Sequence, residues 1–292
     1  MTPDEPVRAV DRLSAADASA VLALADAAFA ADGVRPLSED TILRLRHGGP
    51  GRHLLGYGDG ELAGYAHLDD DAGELVVHPR LRRRGHGTAL LSTSGPGPHH
   101  FWAHGDLPAA RAFAQRHGFA RTRVLWQMRR PLTTPVPDRP LPADVTIRAF
   151  RPGFDEDAWL DVNGRAFADH PEQGRWTRAD LDLREAEPWF DPDGFLLAVD
   201  VADKLVGFHW TKVHPPEGDD PALGEIYVLG VDPGGHRRGL GAALTVAGLR
   251  HLAGRGLTGA MLYVDESNAA AAALYRGVGF AVHTTDVTYT GG

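Results

Sequence analysis

Two side chains and one loop in this chain are of types, and at spacings, that could do chemistry. Glu225 opens an apolar run, Glu225-Ile226-Tyr227-Val228-Leu229-Gly230-Val231, that stops at Asp232-Pro233. A carboxylate at that point can take the proton of an ammonium group, directly or through a water. Gly230 inside the run predicts a bulge that frees the backbone N–H groups of Leu229 to Val231 to polarise a carbonyl. After the turn, Gly234-Gly235-His236-Arg237-Arg238-Gly239-Leu240-Gly241 opens an apolar helix from Ala242 to Ala253. Unpaired N–H groups at a helix start attract anions, and Gly239 and Gly241 let the backbone approach phosphate oxygens. Tyr275, on a helix predicted from Asn268 to Arg276, carries a phenol that can protonate a leaving thiolate. Base, polarised carbonyl, phosphate cradle and acid are the four needs of acyl transfer from a thioester to an amine. Each also has a plain reading: a solvated glutamate, a ligand-free turn, a core tyrosine.

The motif occurs twice. Glu74-Leu75-Val76-Val77-His78-Pro79 precedes Arg82-Arg83-Arg84-Gly85-His86-Gly87, and placing Gly85 on Gly239 puts Val77 on Val231 and Pro79 on Pro233. Arg116-His117-Gly118-Phe119 then answers Arg276-Gly277-Val278-Gly279-Phe280. Two such series in one order imply tandem domains. We expect an N-terminal domain over residues 1–132, a Pro-rich linker over 133–143 and a catalytic C-terminal domain over 144–292. The first copy has Ala114 where the second has Tyr275, and Asp71, in an acidic turn, where the second has Glu225. It therefore keeps the phosphate loop but lacks the acid, and the second copy is expected to catalyse.

The elements that must position these groups follow from periodicity and turn residues. Ser14, Ser38 and Thr177 are predicted helix caps, with Val21, Leu22, Leu24, Ala25 and Phe29 on the apolar side of the first helix. Each copy reads β-α-α-β-β-β-α-β-α-β, an α/β (α+β) mixed sheet. Three consecutive strands disfavour a doubly wound fold.

Composition narrows the partners. A net charge of −9 argues against nucleic acid and anionic membranes. The one basic cluster, Arg80 to Arg84, begins a Gly loop and reads as phosphate steering. No apolar run is long enough to span a bilayer, and the acidic start Met1-Thr2-Pro3-Asp4-Glu5 lacks a signal-peptide core. The absence of Cys excludes a thiol nucleophile and Cys-bound zinc, and a reducing cytoplasm fits. His100 and His104 flank a strand with no carboxylate set beside them, so no metal is expected. Lysine occurs only at Lys204, in a predicted turn, and at Lys212, which ends an aromatic strand and is the better functional candidate. His170-Pro171-Glu172-Gln173-Gly174-Arg175-Trp176 and Phe208-His209-Trp210-Thr211-Lys212-Val213-His214 suit a polar, polyhydroxylated small molecule.

The Gly loop resembles the acyl-CoA loop of the GNAT acetyltransferases, Gln/Arg-x-x-Gly-x-Gly/Ala, with His236 as a departure at its first position. The longer runs are more specific. His170 to Gly174, Trp189-Phe190-Asp191-Pro192-Asp193-Gly194, Phe208 to Pro215, Glu225 to Pro233, Phe101-Trp102-Ala103-His104-Gly105 and Gln127-Met128-Arg129-Arg130-Pro131-Leu132 resemble the mycothiol synthase family. These are tandem GNAT enzymes of actinobacteria, and the likeness covers essentially the whole chain. The resemblance implies acetyl transfer from acetyl-CoA to the cysteinyl amine of cysteinyl-glucosaminyl-inositol, giving mycothiol and CoA, with Glu225 as base and Tyr275 as acid. It implies Glu39, Glu172, Lys212, Glu225 and Tyr263 around this pseudo-disaccharide. It implies acetyl-CoA on Leu229, Gly230, Val231, His236, Arg237, Arg238, Gly239, Leu240, Gly241 and Ala242, with Asn268, Ala269, Ala270, Ala271, Ala272 and Ala273 nearby. In the first copy it implies a second acetyl-CoA on Leu75, Val76, Val77, Arg83, Arg84, Gly85, His86, Gly87 and Thr88. The first-copy helix departs from the pattern after Leu91, where Ser94-Gly95-Pro96-Gly97-Pro98 interrupts it. A monomer without a metal is expected. Acetylation of a different amine, and a non-catalytic acetyl-CoA sensor, are the rival readings.

Overall fold

The computed structural model describes residues 7–49, 51–69, 72–95, 99–170, 173–235 and 239–291. The first series of elements is β1 (Arg8–Val10), α1 (Ala15–Asp32), α2 (Glu39–His47), β2 (Arg52–Gly58), β3 (Glu61–Leu68), β4 (Gly73–Val77), α3 (His86–Thr93), β5 (His99–Ala103), α4 (Pro108–Arg116) and β6 (Ala120–Pro131). The second is β7 (Val145–Ala149), α5 (Glu156–Ala166), α6 (Arg178–Glu185), β8 (Phe195–Asp200), β9 (Leu205–His214), β10 (Leu223–Val231), α7 (Leu240–Gly254), β11 (Gly259–Asp265), α8 (Ala269–Gly277) and β12 (Ala281–Gly291). This is the predicted order, twice.

The helices start where the sequence places their caps. Ser14 and Ser38 accept from the backbone N–H groups of Asp17 and Thr41, and Thr177 forms a reciprocal capping box with Asp180. These bonds satisfy donors that the first helical turn leaves unpaired. α1 stops at Gly33, whose φ of 70° puts it in the left-handed region that suits glycine. Its buried residues are Val21, Leu24, Ala25 and Ala28. Leu22 and Phe29, expected inside, are only half-buried, and the Arg35 guanidinium lies 4.4 Å from the Phe29 ring.

The compact units do not coincide with the two series. One comprises residues 1–125 with 284–292, the other 126–283. In the first unit the strand order is β1-β2-β3-β4-β5, and the end of β12 then pairs antiparallel with β5 from Val287↔Ala103 to Gly291↔His99. Val287 and Tyr289 pack there with Ala114 and, on their margin, Phe119. In the second unit the end of β6 lies beside β11, followed by β10, β9, β8 and β7.

The second unit has two buried layers around its sheet. Trp159 of α5 meets Phe195, Phe208 and Trp210 on one side. Leu240 and Leu244 of α7 meet Val145, Ala198 and Val206 in a second cluster. Each edge-to-face ring pair adds about 0.5–1.5 kcal/mol beyond the apolar area it buries. The sheet that carries the candidate site is thereby stiffened on both faces.

Candidate functional site

The site begins where two parallel strands part. β10 pairs with β11 only from Leu223↔Gly259 to Ile226↔Leu262, yet continues against β9 to Val231↔Gly207. The register shift lies between Ile226 and Val228, not at Gly230. Gly230 is needed for another reason: a Cβ there would stand 2.7 Å from the Phe208 ring and 3.2 Å from Ala166. The first unit repeats the parting. β4 pairs with β5 only at Gly73↔Phe101 and Glu74↔Trp102, then runs on to Val77. Leu75, Val76 and Val77, like Leu229, Gly230 and Val231, thus sit on the far arm of a split pair.

The Gly loops match each other. Gly85 caps α3 with φ 97° and ψ −12°, and Gly239 caps α7 with φ 85° and ψ −7°, neither with a side-chain capping bond. A Cβ added to either would meet nothing within 4 Å, so the left-handed backbone, not crowding, demands glycine. Gly241 has room for a Cβ, with Val231 3.7 Å away. His236, Arg237 and Arg238 lie outside the described residues, as do Glu172 and Asp71.

Both loops are braced by an Arg–Asp pair that sequence reasoning missed. Asp232, buried at the β10 turn, accepts from Gly234 N–H and from two nitrogens of Arg165 on α5. In the first unit Arg82 holds Asp32, at the end of α1, through 2.7 Å and 2.6 Å bonds, and its Nε donates to the Val77 carbonyl. Arg82 is therefore committed within the protein and not available to steer phosphate. Arg84 makes an exposed 3.0 Å pair with Asp59, a contact cheap to exchange.

Glu225 is buried, 6 % exposed, in register opposite Lys212 on β9 and Met261 on β11. Its Oε2 lies 2.7 Å from Nε2 of His214. Lys212 is also buried, its ammonium 4.4 Å from the centre of the Trp189 ring and 5.0 Å from that of Tyr227. Such cation–π contacts are worth about 2 kcal/mol or more when desolvated. Tyr263 on β11 is exposed, and its hydroxyl accepts from Gln127 Nε2 at 3.0 Å. Tyr275 faces the core beside Phe280 and Val278, and burial pushes its phenol up to about 12. It is thus a neutral proton carrier across the physiological range. Asn268 caps α8 through Ala271 N–H, ahead of the five alanines Ala269 to Ala273. Glu39, the first residue of α2, belongs to the other compact unit. The alternation of β9 could have revealed His214, because residues two apart share a strand face. No sequence signal paired it with Glu225.

The expectation that His104 has no carboxylate beside it is corrected. Its Nε2 lies 2.8 Å from Glu74 and its Nδ1 3.1 Å from Asp286. Burial disfavours the charged ring, but the two carboxylates outweigh it and raise the imidazole to about 10. Among the described residues no group of three or more His, Cys, Asp or Glu could hold a metal ion, and no helix is long and apolar enough to cross a membrane.

Split strands, a glycine-capped helix behind them and a buried carboxylate at their base define an acetyltransferase of the GNAT class. Residues 159–280 match the Acetyltransferase (GNAT) family. A GCN5-related N-acetyltransferase from Sphaerobacter thermophilus superposes with a TM-score of 0.65 at 27% identity, over 98% of this chain and 96% of that one. A tandem GNAT protein from the clavulanic acid biosynthesis pathway gives 0.71 at 21% identity over 98% of each chain, a likeness of fold alone.

The sequence relatives are narrower. The mycothiol acetyltransferase of Thermobispora bispora is 58% identical over 97% of this chain and 99% of its own. That of Salinispora arenicola is 57% identical over 97% and 96%. The chain belongs to the mycothiol acetyltransferase family.

Proposed function

We propose that this enzyme completes mycothiol by moving the acetyl group of acetyl-CoA onto the cysteinyl amine of cysteinyl-glucosaminyl-inositol. The buried carboxylate of Glu225, next to the point where β10 leaves β11, carries the reading. A pantetheine arm lying along the open arm, Leu229 to Val231, brings the thioester close to that carboxylate. The loop backbone at Gly239, Leu240, Gly241 and Ala242, together with His236 to Arg238, receives the pyrophosphate. Ala269 to Ala273 are small enough to let the cofactor pass.

The chemistry balances with two protein groups. Glu225 takes a proton from the ammonium. The free amine attacks the thioester carbonyl, and the oxyanion that forms is stabilised by backbone N–H groups of the open arm. The C–S bond breaks as Tyr275 gives its proton to the CoA thiolate, the nitrogen releases its second proton to the tyrosinate through solvent, and the proton held by Glu225 passes to solvent, so one proton is released per turnover. Glu172, Lys212 and Tyr263 hold the pseudo-disaccharide. The cation–π seat of Lys212 supports this, because it fixes a charge that water would otherwise leave mobile. The first copy, residues 1–132, retains a second acetyl-CoA cradle at Leu75 to Val77 and Arg83 to Thr88 without catalysis. Residues 144–292 form the catalytic copy, and 133–143 link the two. The enzyme works in the cytoplasm as a monomer.

Release of CoA thiol, followed with acetyl-CoA and cysteinyl-glucosaminyl-inositol, tests the reading. Turnover that falls at least about 100-fold in both E225Q and Y275F is expected, the scale of a lost acid or base. Tight acetyl-CoA binding without turnover on this acceptor would overturn the substrate. Full turnover in both variants would overturn the residues.

A further inference from the structure

We infer that His214 is a positioning residue for Glu225: its Nε2 holds one carboxylate oxygen so that the other faces the acceptor amine. The inference rests on the reading of Glu225 as the base. β9 and β10 run antiparallel with Glu225 opposite Lys212 and Leu223 opposite His214. His214 is therefore the diagonal neighbour of Glu225 on one face of the sheet, a separation that a long side chain bridges. It does so, with Nε2 2.7 Å from Oε2.

The environment makes this bond matter. Glu225 is 6 % exposed, and a buried carboxylate without donors is costly. The residue directly opposite, Lys212, directs its ammonium to the faces of Trp189 and Tyr227. The donor that reaches Oε2 is the histidine, whose side chain is one-third exposed and so lies at the border of the buried carboxylate and solvent. A carboxylate on a two-bond stem has several rotamers, and one anchored oxygen selects among them. Placement within about 1 Å decides rate, since misplacement of that size costs about 100-fold.

The test is a set of three substitutions measured on the full chain with both substrates. In H214A, kcat is expected to fall about 100-fold, with the acetyl-CoA KM within about twofold of the parent. In H214Q the amide nitrogen occupies the place of Nε2, and most of kcat is expected to return. In H214N the donor stops short, and kcat is expected to stay with H214A. A merely structural histidine would move KM, kcat and melting temperature together and would not distinguish Gln from Asn. The inference is overturned if H214A keeps kcat within about twofold, or if folded H214Q is as slow as H214A. E225Q measured alongside separates the two levels. If E225Q is inactive while H214A is not, only the role of His214 falls. If E225Q turns over normally, the reading of Glu225 as base falls with it.

Discussion

Arg165 grips Asp232 with Nη2 at 3.0 Å and Nε at 3.3 Å, at the turn where β10 gives way to the Gly loop. The guanidinium lowers the Asp232 carboxyl from its usual value of 3.8, its hydrogen bond being the largest cause. A depressed native value stabilises the fold above the unfolded value and loses that effect as pH falls through the native one. D232N should therefore melt below the parent at pH 7, with the gap closing as pH drops below about 4. Acetyl-CoA should bind about 10-fold more weakly, since one charged hydrogen bond lost from the brace is worth about 1.5 kcal/mol. Calorimetry across pH and titration with acetyl-CoA check both. A gap constant with pH would assign the loss to something other than this ion pair.

Gly239 and Gly241 separate folding from binding. Gly239 sits at φ 85°, so G239A forces a left-handed alanine and should cost about 1–2 kcal/mol of stability. Gly241 lies outside the left-handed region and a Cβ there would make only an ordinary 3.7 Å contact with Val231, so G241A should leave the melting temperature unchanged. If the loop backbone holds the pyrophosphate, that added methyl should still raise the acetyl-CoA Kd several-fold. Unchanged affinity in G241A would remove the pyrophosphate from this helix start.

His104, held between Glu74 and Asp286, gives the first unit a pH dependence of opposite sign. Its native value is raised to about 10 from 6.5. The stabilisation is fully present below the unfolded value and lost as pH rises through the native one. H104A leaves two carboxylates without their cation and should cost about 3–5 kcal/mol near neutral pH. In urea unfolding, the difference between parent and H104A should shrink steadily from pH 6.5 to 10. A difference that stays level across that window would mean that the native ring is neutral.

Local rules made most of the fold legible. Ser14, Ser38 and Thr177 each cap a helix by a bond to a residue three positions on, so the signal lies within one turn of chain. Gly85 and Gly239 were readable because a left-handed residue ahead of a helix leaves few alternatives to glycine. The buried face of α1 was not, because a helix rich in alanine offers apolar residues on every side, and tertiary packing chose Ala28 over Leu22. Arg165–Asp232, His214–Glu225 and the His104 cluster join residues 67, 11 and as many as 182 positions apart. No periodicity carries such pairings.

The closing strand was equally hidden. Repetition in the sequence gives β6 to the first copy and β12 to the second, yet residues 284–292 belong to the first compact unit. There Asp286 accepts from Gly105 N–H and faces His104, Tyr289 donates to Asp106, and Thr290 bonds His100 and Thr122. Ending the chain after His283 would remove all of these and open the edge of β5. We expect the amides of β5 to lose their hydrogen-exchange protection, with α4 loosened through Ala114, which packs on Val287 and Tyr289. Aromatic-core residues of the second unit, such as Trp210 beside Phe195, should keep theirs. A peptide of residues 284–292 added in trans should restore protection to β5 if pairing alone is missing. Loss of protection throughout the second unit in the truncated chain would show instead that the two units fold as one cooperative body.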